Sequence, residues 1–327
     1  MPPTLDFLSG TLTFSEHAGL DPVSGLIAAA RTGRPAAGLF VRHAPWGRRY
    51  PVVPGAGFHV VVEGSCVLGA AGAEPLTLHS GDVLFMPRGA DHDLADATGS
   101  AITETAHPGE PRIVAGPGRR CVLLCGAYEL DGDRAHPLIA TLPEFVYLPG
   151  RPERHRALNA TVDLLLAEIT ERRPGADAAI PALLDTMLLY VLRAWLAEQA
   201  AAEHPAGWAA ALTDPAVSAA LHAIHADPAL PWTVTALGAR AGVSRATMAR
   251  RFTATVGEPP LAYVARWRML TAARMLRESD TTLTAVARAV GYASEFAFAK
   301  AFKRAYGTAP GRYRRRGIDF AGQGPVG

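Results

Sequence analysis

Apolar positions in the first 150 residues come in short runs closed by glycine, proline or aspartate. Phe58–Gly69 (FHVVVEGSCVLG), Pro75–Pro87 (PLTLHSGDVLFMP) and Arg120–Leu130 (RCVLLCGAYEL) are rich in β-branched and aromatic residues, and their spacing predicts the strands of a sandwich or barrel. Pro143, Pro149, Gly150 and Pro152 then interrupt the chain between Leu142 and Arg156, which predicts a domain boundary. Beyond it the apolar period lengthens. His155–Arg172 and Ile180–Gln199 read as helices, the second with a stripe of Leu184, Met187, Leu188, Val191, Leu192 and Trp195. Two readings of that stripe stand: packing within one subunit, and a dimerisation seam. The last third is rich in Ala, Arg and Leu and reads as all-α. The expected organisation is α+β multidomain: a β-barrel over 1–150, a helical linker over 151–207, an all-α domain over 208–317 and a disordered tail over 318–327.

Two stretches of the last third share one skeleton, Val234–Gly257 and Leu283–Gly307. In each, a short helix ends at a glycine (Gly242, Gly291), an apolar residue follows (Val243, Tyr292), and a serine (Ser244, Ser294) is placed to cap a second helix. That is a helix-turn-helix, present twice. In each second helix an apolar pair at i, i+4 (Met248 with Phe252, Phe298 with Phe302) turns one face to a core and frees the other. The free faces predicted to read DNA bases are Arg245, Ala246, Ala249 and Arg250, then Glu295, Phe296, Ala299 and Lys300. Arg251, Lys303, Arg304 and the GRYRRR run Gly311–Arg316, with Arg314 and Arg315, are predicted phosphate contacts. The intervening helix, Leu261–Ser279, spans ~28 Å, close to the ~34 Å between successive major-groove faces.

Charge supports this reading. The 327 residues carry a formal net charge of +2, but 240–316 hold 16 Arg or Lys against 4 Asp or Glu, a local +12 that leaves −10 elsewhere. Such asymmetry suggests a polyanionic partner for the basic part. With 49% hydrophobic and 19% charged residues the chain is expected to be globular. No uninterrupted apolar run approaches the ~18 residues of a membrane span, and MPPTLDFLSG lacks a leader pattern. The expected location is cytoplasmic, associated with the nucleoid, with no membrane contact.

Residues from about Trp232 to Arg316, including AVGYASEFAFAKAFKRAYGTAPGRYRR, resemble the DNA-binding domain of AraC/XylS-type transcriptional regulators. The resemblance implies structural roles for Met248, Phe252, Phe298, Phe302, Pro310 and Tyr313, and base reading by the exposed positions above. The expected partners are double-stranded promoter DNA, a second copy of the chain paired through the N-terminal unit, and, for an activator, RNA polymerase.

In the N-terminal region, GDVLFMPRGADH (Gly81–His92) resembles the second motif of the cupin family, a double-stranded β-helix barrel. The resemblance places His92 inside the barrel, where cupin enzymes hold a metal. The first cupin motif requires two His and a Glu ahead of Gly64, whereas Tyr50, Val52, Val53 and Gly57 stand near those places. Three of four metal ligands are therefore missing, and neither a metal nor another cofactor nor a catalytic residue is expected. His59 and His92 are left as an effector-pocket pair. The whole chain resembles cupin-type AraC regulators that include reactive-chlorine-responsive activators, in which cysteine oxidation has been a proposed trigger. That makes Cys66, Cys121 and Cys125 redox candidates, with Cys125 the best positional match, against the plainer reading of three buried small hydrophobes. Cys121 and Cys125 on one strand lie ~13 Å apart, beyond the ~7 Å a disulfide spans. The expected function is sequence-specific DNA binding modulated by an oxidant, a small molecule or a metal; the rivals are a metal-dependent cupin enzyme tethered to DNA and an effector-free DNA-binding protein.

Overall fold

The computed structural model describes residues 21–25, 35–72, 74–107, 112–128, 136–151 and 153–321. Strands β1 (Ala36–His43), β2 (Gly47–Tyr50), β3 (Ala56–Glu63), β4 (Ser65–Gly69), β5 (Leu76–His79), β6 (Val83–Met86), β7 (His92–Ala95), β8 (Glu104–Thr105), β9 (Ile113–Val114), β10 (Arg120–Tyr128) and β11 (Val146–Leu148) form two sheets, with a short helix α1 (Pro137–Thr141) before β11. One sheet runs β11-β6-β3-β10-β1-β9 and the other β5-β4-β7-β2-β8. The predicted run Phe58–Gly69 is two strands, β3 and β4, and Pro75–Pro87 likewise holds β5 and β6. Residues 1–20, 26–34 and 322–327, the last within the tail expected to be disordered, lie outside the described residues. Ahead of them, helix α11 (Pro310–Ala321) continues to 321.

The larger sheet is covered on both sides, which explains why its strands read as continuous apolar runs. Six of the eight residues of β3 are buried, and alternate residues leave a strand on opposite faces. Val61, Leu84, Met86, Cys121, Leu123 and Cys125 join the core between the sheets. Phe58, Val60, Val83, Phe85, Leu124 and Tyr128 join a second core shared with the helices. Helices α2 (Arg156–Glu171) and α3 (Ala176–Ala200) supply the next layer of that core. Leu184, Met187, Leu188, Val191, Leu192 and Leu196 of α3 are buried, while Trp195, Leu183, Leu189 and Tyr190 are half-buried on its flanks. An 18-residue window of α3 has mean hydropathy 1.5 and only 39% of it is buried. By length and apolarity alone the helix matches a membrane span, yet its main stripe is committed to this core.

The remaining helices are α4 (Gly207–Thr213), α5 (Pro215–Ala226), α6 (Val234–Arg240), α7 (Arg245–Val256), α8 (Pro260–Glu278), α9 (Leu283–Ala289) and α10 (Glu295–Tyr306), followed by α11. Tyr263, Val264, Trp267 and Leu270 of α8 belong to the core that reaches back to the sheet. Met269, Ala272, Ala273 and Leu276 of the same helix belong to a separate core with Val286, Phe298, Phe302 and Tyr306. The first helix-turn-helix is thus built onto the N-terminal unit, and the second is joined to it through α8.

One polar contact ties the two ends of the shared core together. Tyr263 is fully buried, and its hydroxyl lies 2.9 Å from His136 Nε2 and 2.7 Å from His225 Nε2. The Leu138 N–H donates to His136 Nδ1 at 3.2 Å, so the His136 proton sits on Nε2 and is donated to the Tyr263 oxygen. Tyr263 then donates to His225. Burial pushes the His136 pKa well below the usual imidazole value and lowers that of His225 to about 3.

The unfolded chain takes up protons on His136 and His225 below about pH 6.5, while the folded chain refuses them far lower. Stability is therefore fully present above pH 6.5 and falls as pH drops through the window toward 3. Tyr263→Phe leaves a buried donor and a buried acceptor unpaired and is expected to cost about 1–3 kcal/mol. Urea unfolding of both proteins across that pH range checks the size and the slope; an unchanged midpoint refutes the bridge.

Candidate functional site

Two places in the fold gather polar chemistry: the space between the sheets, and the outer face of the duplicated helical motif.

Between the sheets, the site is made of two cross-strand pairs that face each other. His59 of β3 stands opposite Cys125 of β10 in the antiparallel register, and Tyr50 of β2 stands opposite His92 of β7. Side chains so paired lie within contact distance. His59 Nδ1 is 2.9 Å from Cys125 Sγ, and His59 Nε2 is 2.8 Å from His92 Nε2. The Tyr50 ring stacks on His92, with centroids 5.0 Å apart and planes within 3°, and meets His59 edge-on. The sequence-predicted pair His59 and His92 is thus in direct contact, and Cys125 joins it.

The proton positions follow from one end. The His92 Nδ1–H donates to the Ala90 carbonyl at 2.7 Å, so His92 Nε2 accepts from His59 Nε2–H. His59 Nδ1 in turn accepts from the Cys125 S–H. All three groups are neutral in this arrangement, and the electrostatics agree. Burial pushes the Cys125 thiol up to about 12, against a hydrogen bond from Tyr50 and the charges of Arg48 and Arg42. Burial, with His92 and Arg48 nearby, holds His59 well below the usual imidazole value, and burial lowers His92. Arg48, itself buried, pairs with Glu104 at 3.0 Å and lies 5.5 Å over the Tyr50 ring.

These donors do not fit a metal. The imidazole of His59 lies between the sulfur and His92, so the three groups run in series and do not converge on a point. Among the described residues no group of three or more His, Cys, Asp or Glu is placed to hold an ion. Cys66 and Cys121, both buried, share a hydrogen bond of their own; that bond, with burial, pushes the Cys66 thiol up, and it lowers Cys121 against the opposing effect of burial.

On the helical face, the serine caps form as the sequence implies. Ser244 accepts from the Thr247 N–H and Ser294 from the Ala297 N–H, each at 3.2 Å. Two further caps, Thr233 on α6 and Thr282 on α9, repeat the same geometry; their signal in the sequence is a threonine standing three residues before an alanine in both repeats. Gly242 and Gly291 adopt φ of 69° and 78°, the left-handed turn that favours glycine. Met248, Phe252, Phe298 and Phe302 are fully buried. Opposite them Arg245, Ala246, Arg250, Glu295, Phe296 and Lys300 are exposed, and Ala249 and Ala299 half-exposed.

The predicted phosphate contacts divide. Lys303, Arg304 and Arg315 are exposed. Arg251 is exposed but reaches Asp214 Oδ2 at 3.4 Å, and the Arg314 guanidinium donates to the Thr281 carbonyl. Arg277 and Tyr313 are also joined, at 2.7 Å. Glu295 accepts from the Thr284 hydroxyl at 2.7 Å.

A cupin family model matches residues 21–197, and a helix-turn-helix domain model matches residues 237–316. A protein of Streptomyces lividans named a putative AraC-like transcription regulator is 36% identical over 303 residues, covering 90% of this chain and 98% of that protein. The RCS-specific HTH-type transcriptional activator RclR of Escherichia coli K12 is 28% identical over 263 residues, covering 79% and 84%. The DNA-binding domain of AdpA, solved with a target DNA, is 33% identical and matches at a TM-score of 0.32, covering 34% of this chain and all of that one.

A thiol with a pKa of about 12 carries almost no thiolate at pH 8. Alkylation of Cys125 in the native protein is expected to be on the order of a thousandfold slower than in the unfolded chain. Peptide mass spectrometry after iodoacetamide pulses gives the ratio, and equal rates show that the thiol is not held as described.

Proposed function

The chain belongs to the AraC-like transcription regulators that join a cupin domain to a helix-turn-helix domain, and from that premise we propose that a signal received between its sheets controls how two recognition helices engage a promoter. It is a DNA-binding transcription regulator. The observation that carries the finer reading is the pair of serine-capped helices, α7 and α10, each holding a buried aromatic face inward and an exposed face outward.

In this reading residues 1–150 are the sensor, 151–207 the linker and 208–317 the reader. Arg245 and Arg250 bond guanine edges in one major groove, with Ala246 and Ala249 allowing close approach. Lys300 and Ala299 enter the next groove, and Lys303, Arg304 and Arg315 hold phosphates. The half-buried flank of α3, with Leu183, Leu189, Tyr190 and Trp195, supports pairing with a second copy. As an activator the dimer works in the bacterial cytoplasm beside RNA polymerase.

The signal acts at Tyr50, His59, His92 and Cys125. A signal shifts a conformational equilibrium only by its preference for one state, and the series of hydrogen bonds supplies such a preference. Because Cys125 is held as the neutral thiol, its oxidation takes a small, strong two-electron oxidant such as hypochlorous acid: the sulfur becomes a sulfenic acid, the oxidant is reduced to chloride, and the released proton passes to His59 Nδ1 beside the sulfur. The donor that fixed His59 is then replaced by a larger group, and both sheets must readjust.

Binding to a fragment of its own upstream region at fixed salt tests the two halves separately. Arg250→Ala is expected to lose ~1–3 kcal/mol on the specific site alone; an equal loss on random DNA makes Arg250 a phosphate contact. Mild hypochlorite is expected to change wild-type binding, reversibly with reductant, and to leave Cys125→Ser unaffected. A variant that still responds moves the oxidation to Cys66 and Cys121.

A further inference from the structure

The two reading faces are not equivalent, and the difference lies at the tip of α10. The repeats align serine on serine, so Ala246 of α7 corresponds to Phe296 of α10. Phe296 is 81% exposed, more than any other large apolar side chain among the described residues. It is the second residue of a helix whose other three aromatic rings, Phe298, Phe302 and Tyr306, are all buried. A fully exposed Phe forgoes roughly 1.5–3 kcal/mol of burial, and Phe296 forgoes most of that among the described residues.

Its neighbours restrict what it can meet. Glu295 is drawn back to Thr284, so the one acid on this tip faces its own domain. Ala299, Lys300 and Lys303 follow Phe296 at i+3, i+4 and i+7, on the same side of the helix. The ring therefore leads a basic face inside a segment of net +12, which is complementary to a nucleic-acid backbone and not to an apolar protein groove. The N-terminal residues of a recognition helix are those that reach base edges. In the major groove the one apolar group on any base edge is the C5-methyl of thymine.

We propose that Phe296 is a specificity-determining residue that packs on a thymine methyl, so the second recognition helix selects thymine by hydrophobic contact while the first reads guanine by hydrogen bonds. This rests on the DNA-reading function proposed above. It names the base that the second helix recognises.

Deoxyuridine differs from thymidine by that methyl alone. Thymines in the second half-site of a footprinted upstream fragment are replaced one at a time by deoxyuridine, and binding of the full-length protein is measured at one salt concentration. Wild type is expected to lose about 3- to 5-fold at one or two positions, the worth of one buried methyl. Phe296→Ala is expected to bind the thymine site about equally weakly and to show no further loss on the deoxyuridine site, while Phe296→Leu keeps part of the discrimination. Because the ring is 81% exposed, an unchanged circular dichroism melt is expected for both variants.

A Phe296→Ala protein that still discriminates thymine from deoxyuridine, or that binds as wild type while losing transcription, overturns the proposal; the second result assigns the ring to a protein partner. Absence of any sequence-specific binding by wild type overturns the reading beneath it as well. Intact wild-type binding with no sensitivity to deoxyuridine overturns the Phe296 contact alone.

Discussion

The larger sheet is buried on both faces, and most of the molecule depends on that. The central residues of β3 and β10 are committed to one of two cores by their parity: His59, Val61, Leu123 and Cys125 to the space between the sheets, Phe58, Val60, Leu124 and Tyr128 to the helices. A slip of one residue would exchange the two sets and put His59 and Cys125 against α3. The same alternation means that a change at Cys125 is one peptide unit away from Leu124, which already packs with the helical layer. Tyr128 extends the connection directly, since its hydroxyl donates to the Leu184 carbonyl of α3 at 2.7 Å. The core between the sheets and the helical layer share a wall one strand thick.

On the far side of that wall the coupling is equally short. His136 precedes α1 in the N-terminal unit, His225 lies on α5, and Tyr263 begins the helix that carries both reading heads. A group of three neutral polar side chains inside an apolar core tolerates little rearrangement, because each unpaired member costs more than a lost contact. The first helix-turn-helix is therefore registered to the N-terminal unit through hydrogen-bond geometry, while α8 is joined to the second through apolar packing and the Arg277–Tyr313 hydrogen bond.

Much of this was legible in the chain before any coordinates. The duplicated motif announced itself through local chemistry, serine caps, turn glycines and i, i+4 aromatic pairs, and such signals act within a dozen residues. His92 was legible through the spacing of a cupin motif, and His59 through its place on the strand before Glu63 and Gly64. Tyr50 stood out only as the wrong residue at a ligand position; its stacking on His92 requires the register of β2 with β7, which no local pattern encodes. The bridge through Tyr263 was invisible for the same reason, since its partners lie 127 and 38 residues away. Arg314 and Glu295 are predicted DNA contacts from sequence; the fold adds what no local pattern encodes, that Arg314 also donates to the Thr281 carbonyl and Glu295 accepts from Thr284.

Helix α8 has a consequence for the genome that carries the protein's target. It packs into two cores at once, so the two reading heads of one chain are held at a fixed distance and a fixed rotation. Inserting a single base pair between their sites would turn one site by about a tenth of a helical turn relative to the other, and a rigid helix has no slack to follow. Where both helices engage one target as proposed, its sequence is free to drift in base composition across that interval while its length is held.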